Sequence, residues 1–223
     1  MSYLTNPYRY VAGGVDVTYD FCNNTVLPVW TTASPASIDT TACQLETTVF
    51  NNTVAELAYT DTFTNLSDGN WIFDVDFNFN SASTSNNYMG IIGLSDYADV
   101  RGGQGSGDAY LMMWNTSTKR VAFGTNDGGS SRSYGGSTQI AYNLTKGTNY
   151  YTRSERTDPT TVENAIYSSA GNRNAETSAL GSLTMTIPAT IDSLDRFVAF
   201  YGEDNSASGS SYQEIYAVKL TGT

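Results

Sequence analysis

The chain contains no histidine, and its 223 residues include only 11 Lys and Arg. Without histidine there is no Ser-His-Asp triad, no imidazole general base and no imidazole metal ligand. The basic residues are too few and too scattered to follow a phosphate backbone. With 22 Asp and Glu the formal net charge is -11, so nucleic acid is not an expected partner. Acidity of that kind favours solubility and repels anionic membranes. No apolar run approaches the roughly 18 residues of a spanning helix. The opening MSYLTNPYRYVAGG has neither the basic nor the apolar segment of a secretory signal. No Gly-x-x-x-x-Gly-Lys run is present to cradle a nucleotide phosphate. Cysteine is confined to Cys22 and Cys43, too few for a structural zinc site without histidine. Their spacing permits a disulfide worth about 3 kcal/mol, and equally permits two buried thiols.

What is abundant is Gly (20), Tyr (16), Ser, Thr and Asn, the composition of a β protein with a neutral, hydrogen-bonding surface. The clearest local signal is WIFDVDFNFN at 71–80, where Trp71, Phe73, Val75, Phe77 and Phe79 alternate with Asp74, Asp76, Asn78 and Asn80. A period of two belongs to a strand with one aromatic face in the core and one polar face outward. YMGIIGL at 88–94 is an apolar run with two glycines, expected to be a central strand with a close backbone approach. NYYTRSERT at 149–157, the Asp158-Pro159 turn and 161–168 form an expected hairpin. Its Arg153, Glu155, Arg156 and Glu163 suggest cross-strand pairing of opposite charges. Further strands are expected at 15–21, 44–50, 54–59, 110–114, 120–124, 139–142, 183–187, 196–203 and 212–221, with one helical turn within 172–180. About a dozen antiparallel strands with regular turn signals favour a single all-β sandwich or jelly roll. Residues 1–13 are expected to be a short extended arm that anchors a domain spanning 14–223. The five Asn-x-Ser/Thr sequons, at Asn23, Asn51, Asn65, Asn115 and Asn143, arise readily by chance in so Asn- and Thr-rich a chain.

The order of WIFDVDFNFN, YMGIIGL, AYLMMW, RVAFG, the hairpin and the closing IYAVKLTG resembles that of concanavalin A-like, laminin-G-type jelly rolls. The hairpin carries most of this resemblance. A Leu-x-x-Gly-x-x-Tyr turn leads into its first strand through Leu144, Gly147, Tyr150 and Tyr151, and its second strand ends at Tyr167. The Asp-Gly that often closes the laminin-G hairpin is absent. The opening LTNPYRYVAGG resembles the start of tailed-phage virion proteins that carry such a domain.

The resemblance implies a calcium site at the sandwich rim, for which Asp96, Asp99, Asp108 and Asp127 supply the hard oxygen ligands that Ca²⁺ takes. Asn126 lies in the same Gly-rich stretch as Asp127, although Asp and Asn there are also ordinary turn formers. It also implies a glycan platform, which Tyr97, Trp114, Asn126, Asp127 and Tyr134 would furnish unless Trp114 belongs to the core. Hydrolases of this fold need two suitably spaced carboxylates. Asp74 and Asp76 lie roughly 6 to 7 Å apart on one strand face, and the plainer reading of both is a solvated strand face. The resulting expectation is a non-enzymatic virion or surface structural protein needing no cofactor, Ca²⁺ apart. It would be a capsid decoration, head fibre or tail-associated subunit assembled with copies of itself or with other subunits through the arm, on a virion or extracellular surface. It would display a lectin-like sandwich for adhesion to host-surface glycans. The alternatives are a glycan-binding lectin-like module and a divergent glycoside hydrolase.

Overall fold

The computed structural model describes residues 15–19, 21–22, 30–32, 37–49, 57–60, 62, 66, 70–81, 88–97, 107–115, 118–128, 130–133, 138–200 and 211–222. The expected arm at 1–13, together with Asp99 and Tyr134, lies outside them. In chain order the strands are β1 (Val15–Tyr19), β2 (Trp30–Thr32), β3 (Ser37–Asp39), β4 (Gln44–Val49), β5 (Leu57–Thr60), β6 (Trp71–Ser81), β7 (Tyr88–Ser95) and β8 (Ala109–Asn115). They continue with β9 (Arg120–Asp127), β10 (Ser130–Ser133), β11 (Thr148–Asp158), β12 (Thr161–Tyr167), β13 (Gly181–Thr186), β14 (Arg196–Phe200) and β15 (Ser211–Gly222). Among the described residues one short helix, α1 (Ala170–Asn174), follows β12.

Two antiparallel sheets stack face to face. The first runs β13-β12-β11-β6-β15-β4-β3, with β1 also paired to β15. The second runs β10-β9-β8-β7-β14-β5-β2. The two strands with the clearest sequence signals, β6 and β7, are the middle strands of their respective sheets. The inward row of β6 meets aromatic partners from the second sheet: Trp71 lies 5.2 Å from Tyr110, Phe73 stacks on Phe197 at 6.0 Å, and Phe77 meets Trp114 edge-on at 4.7 Å. Each such side chain contributes about 1.5–3 kcal/mol by burial alone. Gly93 in β7 is needed for the approach of β8, because a Cβ there would sit 2.0 Å from the Tyr110 carbonyl oxygen.

The hairpin of β11 and β12 forms as expected, and the turn before it explains its Leu-x-x-Gly-x-x-Tyr pattern. Leu144 is buried, Gly147 takes a positive φ of 75°, and the Tyr150 hydroxyl accepts from the Thr145 N–H at 2.8 Å. Three local expectations need correction. Gln139 makes only an isolated bridge to Ala122 rather than opening a strand over 139–142. Asn126 and Asp127 end β9 instead of lying in a loop. The helical turn comes earlier than expected because Ser169 caps it, its hydroxyl accepting from the Asn172 N–H. Cys22 and Cys43 are joined as a disulfide (S–S 2.00 Å), tying the exit of β1 to the turn before β4.

The two outer faces of the sandwich differ. On the second sheet Ala109, Leu111, Met113, Ala122 and Val198 form a separate apolar cluster, fully buried, so that β8 is covered on both sides. On the first sheet the outer face carries polar and charged residues, and two hollows among the described residues lie there.

Candidate functional site

The residues expected to bind calcium or sugar come together only in part. Asp96, just past β7, accepts from the Asp108 N–H through Oδ1 at 2.7 Å, and Asp108 in turn accepts from the Gly128 N–H at 2.8 Å. Asn126 donates to the Gly107 carbonyl at 2.8 Å. These bonds close the neck of the connection between β7 and β8, so the carboxylates stabilise backbone turns. Burial pushes the Asp96 carboxyl up, and the nearby Asp108 and Asp195 charges add to the shift. Among the described residues no three His, Cys, Asp or Glu converge as a cation site, and Asp99, expected as a further ligand, lies outside them. Tyr97 is exposed at the same neck. Trp114 is not a platform residue: the alternation of β8 places it inside with Tyr110 and Met112, against Phe77.

The outer face of the first sheet is more organised. Register sets Asp74 opposite Arg153, and Asp76 opposite Tyr151, between β6 and β11. Tyr151 in turn faces Tyr167 of β12. On the other side of β6 the register of β15 shifts between Ile215 and Ala217, which leaves Tyr216 as an extra residue beside Asp76. Tyr216, Asp76, Tyr151 and Tyr167 therefore follow one another across four adjacent strands.

Asp74 is not on a solvated face. Its side chain is 2% exposed, and Arg153 holds both oxygens, Nε to Oδ1 at 2.9 Å and Nη2 to Oδ2 at 3.0 Å. Arg173, brought over the sheet by α1, reaches Asp74 Oδ2 at 3.5 Å, pairs with Asp76 Oδ1 and lies 5.9 Å from the Tyr151 ring centre. Arg153 continues to Glu176 at 2.6 Å. The expected pairing of opposite charges within the hairpin is thus replaced by pairs to β6 and to the segment after α1. Arg156 leaves the set altogether. Its odd-even position turns it inward, where it donates to the carbonyls of Ile191 and Pro159, both at 2.6 Å. Glu155 and Glu163 face each other directly, a like-charge pair.

Two hollows flank this network. One, about 140 Å³, is lined by Asp76, Phe77, Asn149, Tyr150, Tyr151 and Tyr216. The other, about 200 Å³, includes Arg153, Glu155, Glu163, Tyr167, Glu176 and Thr184 in its lining. In the first, Asn78 donates to Asn149 Oδ1 at 2.7 Å and fixes that amide, while Tyr216 donates to Glu214 at 2.5 Å. Burial pushes the Asp76 carboxyl up despite its pairing with Arg173, and burial followed by Glu214 pushes the Tyr216 phenol up. The hollow therefore offers a held carboxylate, a held amide and two tyrosine rings on rigid strands. Such a set can accept from and donate to hydroxyl groups while packing an apolar ring face.

No protein-family model matches this chain, and no curated protein does. Solved structures match over nearly its whole length. The winged bean acidic lectin complexed with methyl-α-D-galactose is 11% identical, with a TM-score of 0.59, covering 93% of this chain and 98% of that one. The VIP36 exoplasmic/lumenal domain in its Ca²⁺/Man₃GlcNAc-bound form is 11% identical, with a TM-score of 0.58 and coverages of 88% and 84%. The CBM2 module of the evolved Dit of Lactobacillus casei BL23 phage J-1 is 12% identical, with a TM-score of 0.55 and coverages of 93% and 95%. The fold is the concanavalin A-like jelly roll.

Within this jelly roll the first hollow uses none of the residues expected to bind calcium or sugar. Asp76 stood out only as a carboxylate spaced with Asp74 and Tyr151 only in the hairpin pattern, whereas Asn149 and Tyr216 carried no signal. Tyr216 reaches the hollow through a bulge that β15 displays only when paired with β6. Arg173 reaches Asp76 in its lining from a five-residue helix nearly a hundred positions downstream.

Proposed function

We propose that the chain is a non-enzymatic, lectin-like carbohydrate-binding module displayed on a virion or other extracellular surface. Its saccharide contact is the hollow between Asp76, Asn149, Tyr151 and Tyr216. The observation that carries the reading is that hollow's composition. Carboxylate and amide are held by neighbouring side chains and two tyrosines flank them, all on the central strands of a sheet whose outer face is not sealed by apolar packing. A volume of about 140 Å³ is small beside the roughly 300 Å³ and more of a drug-sized site, and suits one sugar ring or part of one. Support from outside the chain is the shared fold with the winged bean acidic lectin, the Man₃GlcNAc-bound VIP36 domain and the phage CBM2 module. Display on a virion is supported by the shared fold with the phage module and by the resemblance of the opening residues.

Binding of the purified protein to a glycan array, with and without Ca²⁺, tests this. At least one glycan is expected to be retained, and Tyr151→Ala and Tyr216→Ala, each folded by far-UV circular dichroism, are expected to weaken it at least tenfold. Flat responses in both conditions would retire the reading. Retained binding in both variants would move the site elsewhere.

A further inference from the structure

Resting on the carbohydrate reading above, we propose that this site selects uncharged glycans and rejects those bearing carboxylate, sulfate or phosphate groups. Recognition of an anionic sugar requires a cation or hydrogen-bond donor set free to pair with it, and the two arginines beside this hollow are committed. Arg173 is paired with Asp76 and Asp74, and Arg153 is paired with Asp74 at both oxygens and with Glu176. Lys219 of β15 stands opposite Asp74 in the register of β6. Against these three cations stand Asp76 in the hollow's lining, Glu214 bonded to Tyr216, Asp74 beside the same arginines, and Glu155, Glu163 and Glu176 in the lining of the neighbouring hollow, so carboxylates outnumber cations across this side of the first sheet. Glu155 and Glu163 are placed directly opposite one another, where a strand pair ordinarily avoids like charges. Burial already pushes the Glu155 carboxyl up, with Glu176 next among the causes, so a further anion would enter a field that disfavours the carboxylates present.

A neutral sugar meets none of this opposition. Its hydroxyls can donate to Asp76 and Asn149, and its ring can pack against Tyr151 and Tyr216. The discrimination is electrostatic and only partly buried, so it is expected to weaken as salt shortens the Debye length, from about 30 Å at 0.01 M to about 3 Å at 1 M.

The test measures binding of the full chain to immobilised neutral galacto-, manno- and gluco-oligosaccharides and to their sulfated and uronate counterparts, at about 0.01 M and about 1 M salt. The expected result is a neutral member bound about tenfold or more tightly than its acidic counterpart at low salt, the gap shrinking at high salt. The double variant Glu155→Gln/Glu163→Gln is expected to leave the neutral glycan bound as before and to narrow the gap. An acidic counterpart bound as well as its neutral partner at low salt would overturn this inference and leave carbohydrate binding standing. Failure to bind either class would overturn both. A gap unchanged in the double variant would remove these two glutamates from the account of selectivity.

Discussion

Asp74→Ala is the sharpest probe of how the outer face of the first sheet is held. The carboxylate is 2% exposed and is shared by Arg153 and Arg173, whose side chains are 14% and 9% exposed. Removing one partner of a buried pair typically costs about 3–5 kcal/mol, because the charge left behind is neither solvated nor paired. Here each arginine keeps a second carboxylate, Glu176 or Asp76, so the loss belongs at the low end, about 3 kcal/mol. In a domain of this length that corresponds to a fall in Tm of about 6–12 °C. Asp74→Asn keeps the shape and one acceptor and is expected to lose about 1–2 kcal/mol. The measurement is urea unfolding at neutral pH, with the midpoint shifting and the m-value constant, alongside calorimetric Tm. A loss below about 1 kcal/mol for Asp74→Ala would place these pairs with ordinary surface ion pairs and refute the reasoning.

Four other outcomes are expected. Reducing the Cys22–Cys43 disulfide, which closes a loop over a separation of 21 residues, should lower stability by about 3 kcal/mol, read as a shift of the urea midpoint with and without reductant. Glu163→Gln removes the like charge opposite Glu155 and should raise stability by about 0.2–1 kcal/mol. Because burial raises the Glu155 and Asp76 carboxyls, the native state binds their protons more readily than the unfolded chain. These two groups therefore add stability as pH falls from their folded values toward the unfolded carboxylate range near about 4, and Tm measured against pH in the Glu163→Gln and Glu155→Gln variants should show a smaller gain on acidification. Gly93→Ala sets a Cβ 2.0 Å from the Tyr110 carbonyl and should cost more than about 3 kcal/mol by prising β7 from β8; a Tm within a few degrees of wild type would contradict the close approach.

Some features were legible from the linear pattern because their cause is local. The alternation in WIFDVDFNFN is enough to predict a strand with an aromatic inner face, and the spacing of Leu144, Gly147 and Tyr150 predicts the turn whose bonds close over only five residues. Arg156 was misplaced although its parity is written in the sequence. TNYYTRSERTD is polar on both faces, so alternation alone supplied no apolar side to say which was inward, and the buried carbonyls it serves belong to Pro159 and Ile191. Trp114 sits in an almost wholly apolar strand, where the same ambiguity runs the other way.

The sequence by itself settled what this chain is built from: short antiparallel strands around an aromatic core, an acidic surface, and no imidazole chemistry. Those follow from composition and from a periodicity that each strand carries within itself. Only the tertiary structure decided that Asp74 is a buried ion-pair centre, that the second sheet's outer face is sealed while the first's is hollowed, and that Asp76, Asn149, Tyr151 and Tyr216 meet. Those outcomes depend on which strands become neighbours and in what register. A one-residue bulge at Tyr216 and a five-residue helix carrying Arg173 act across separations that no local pattern encodes.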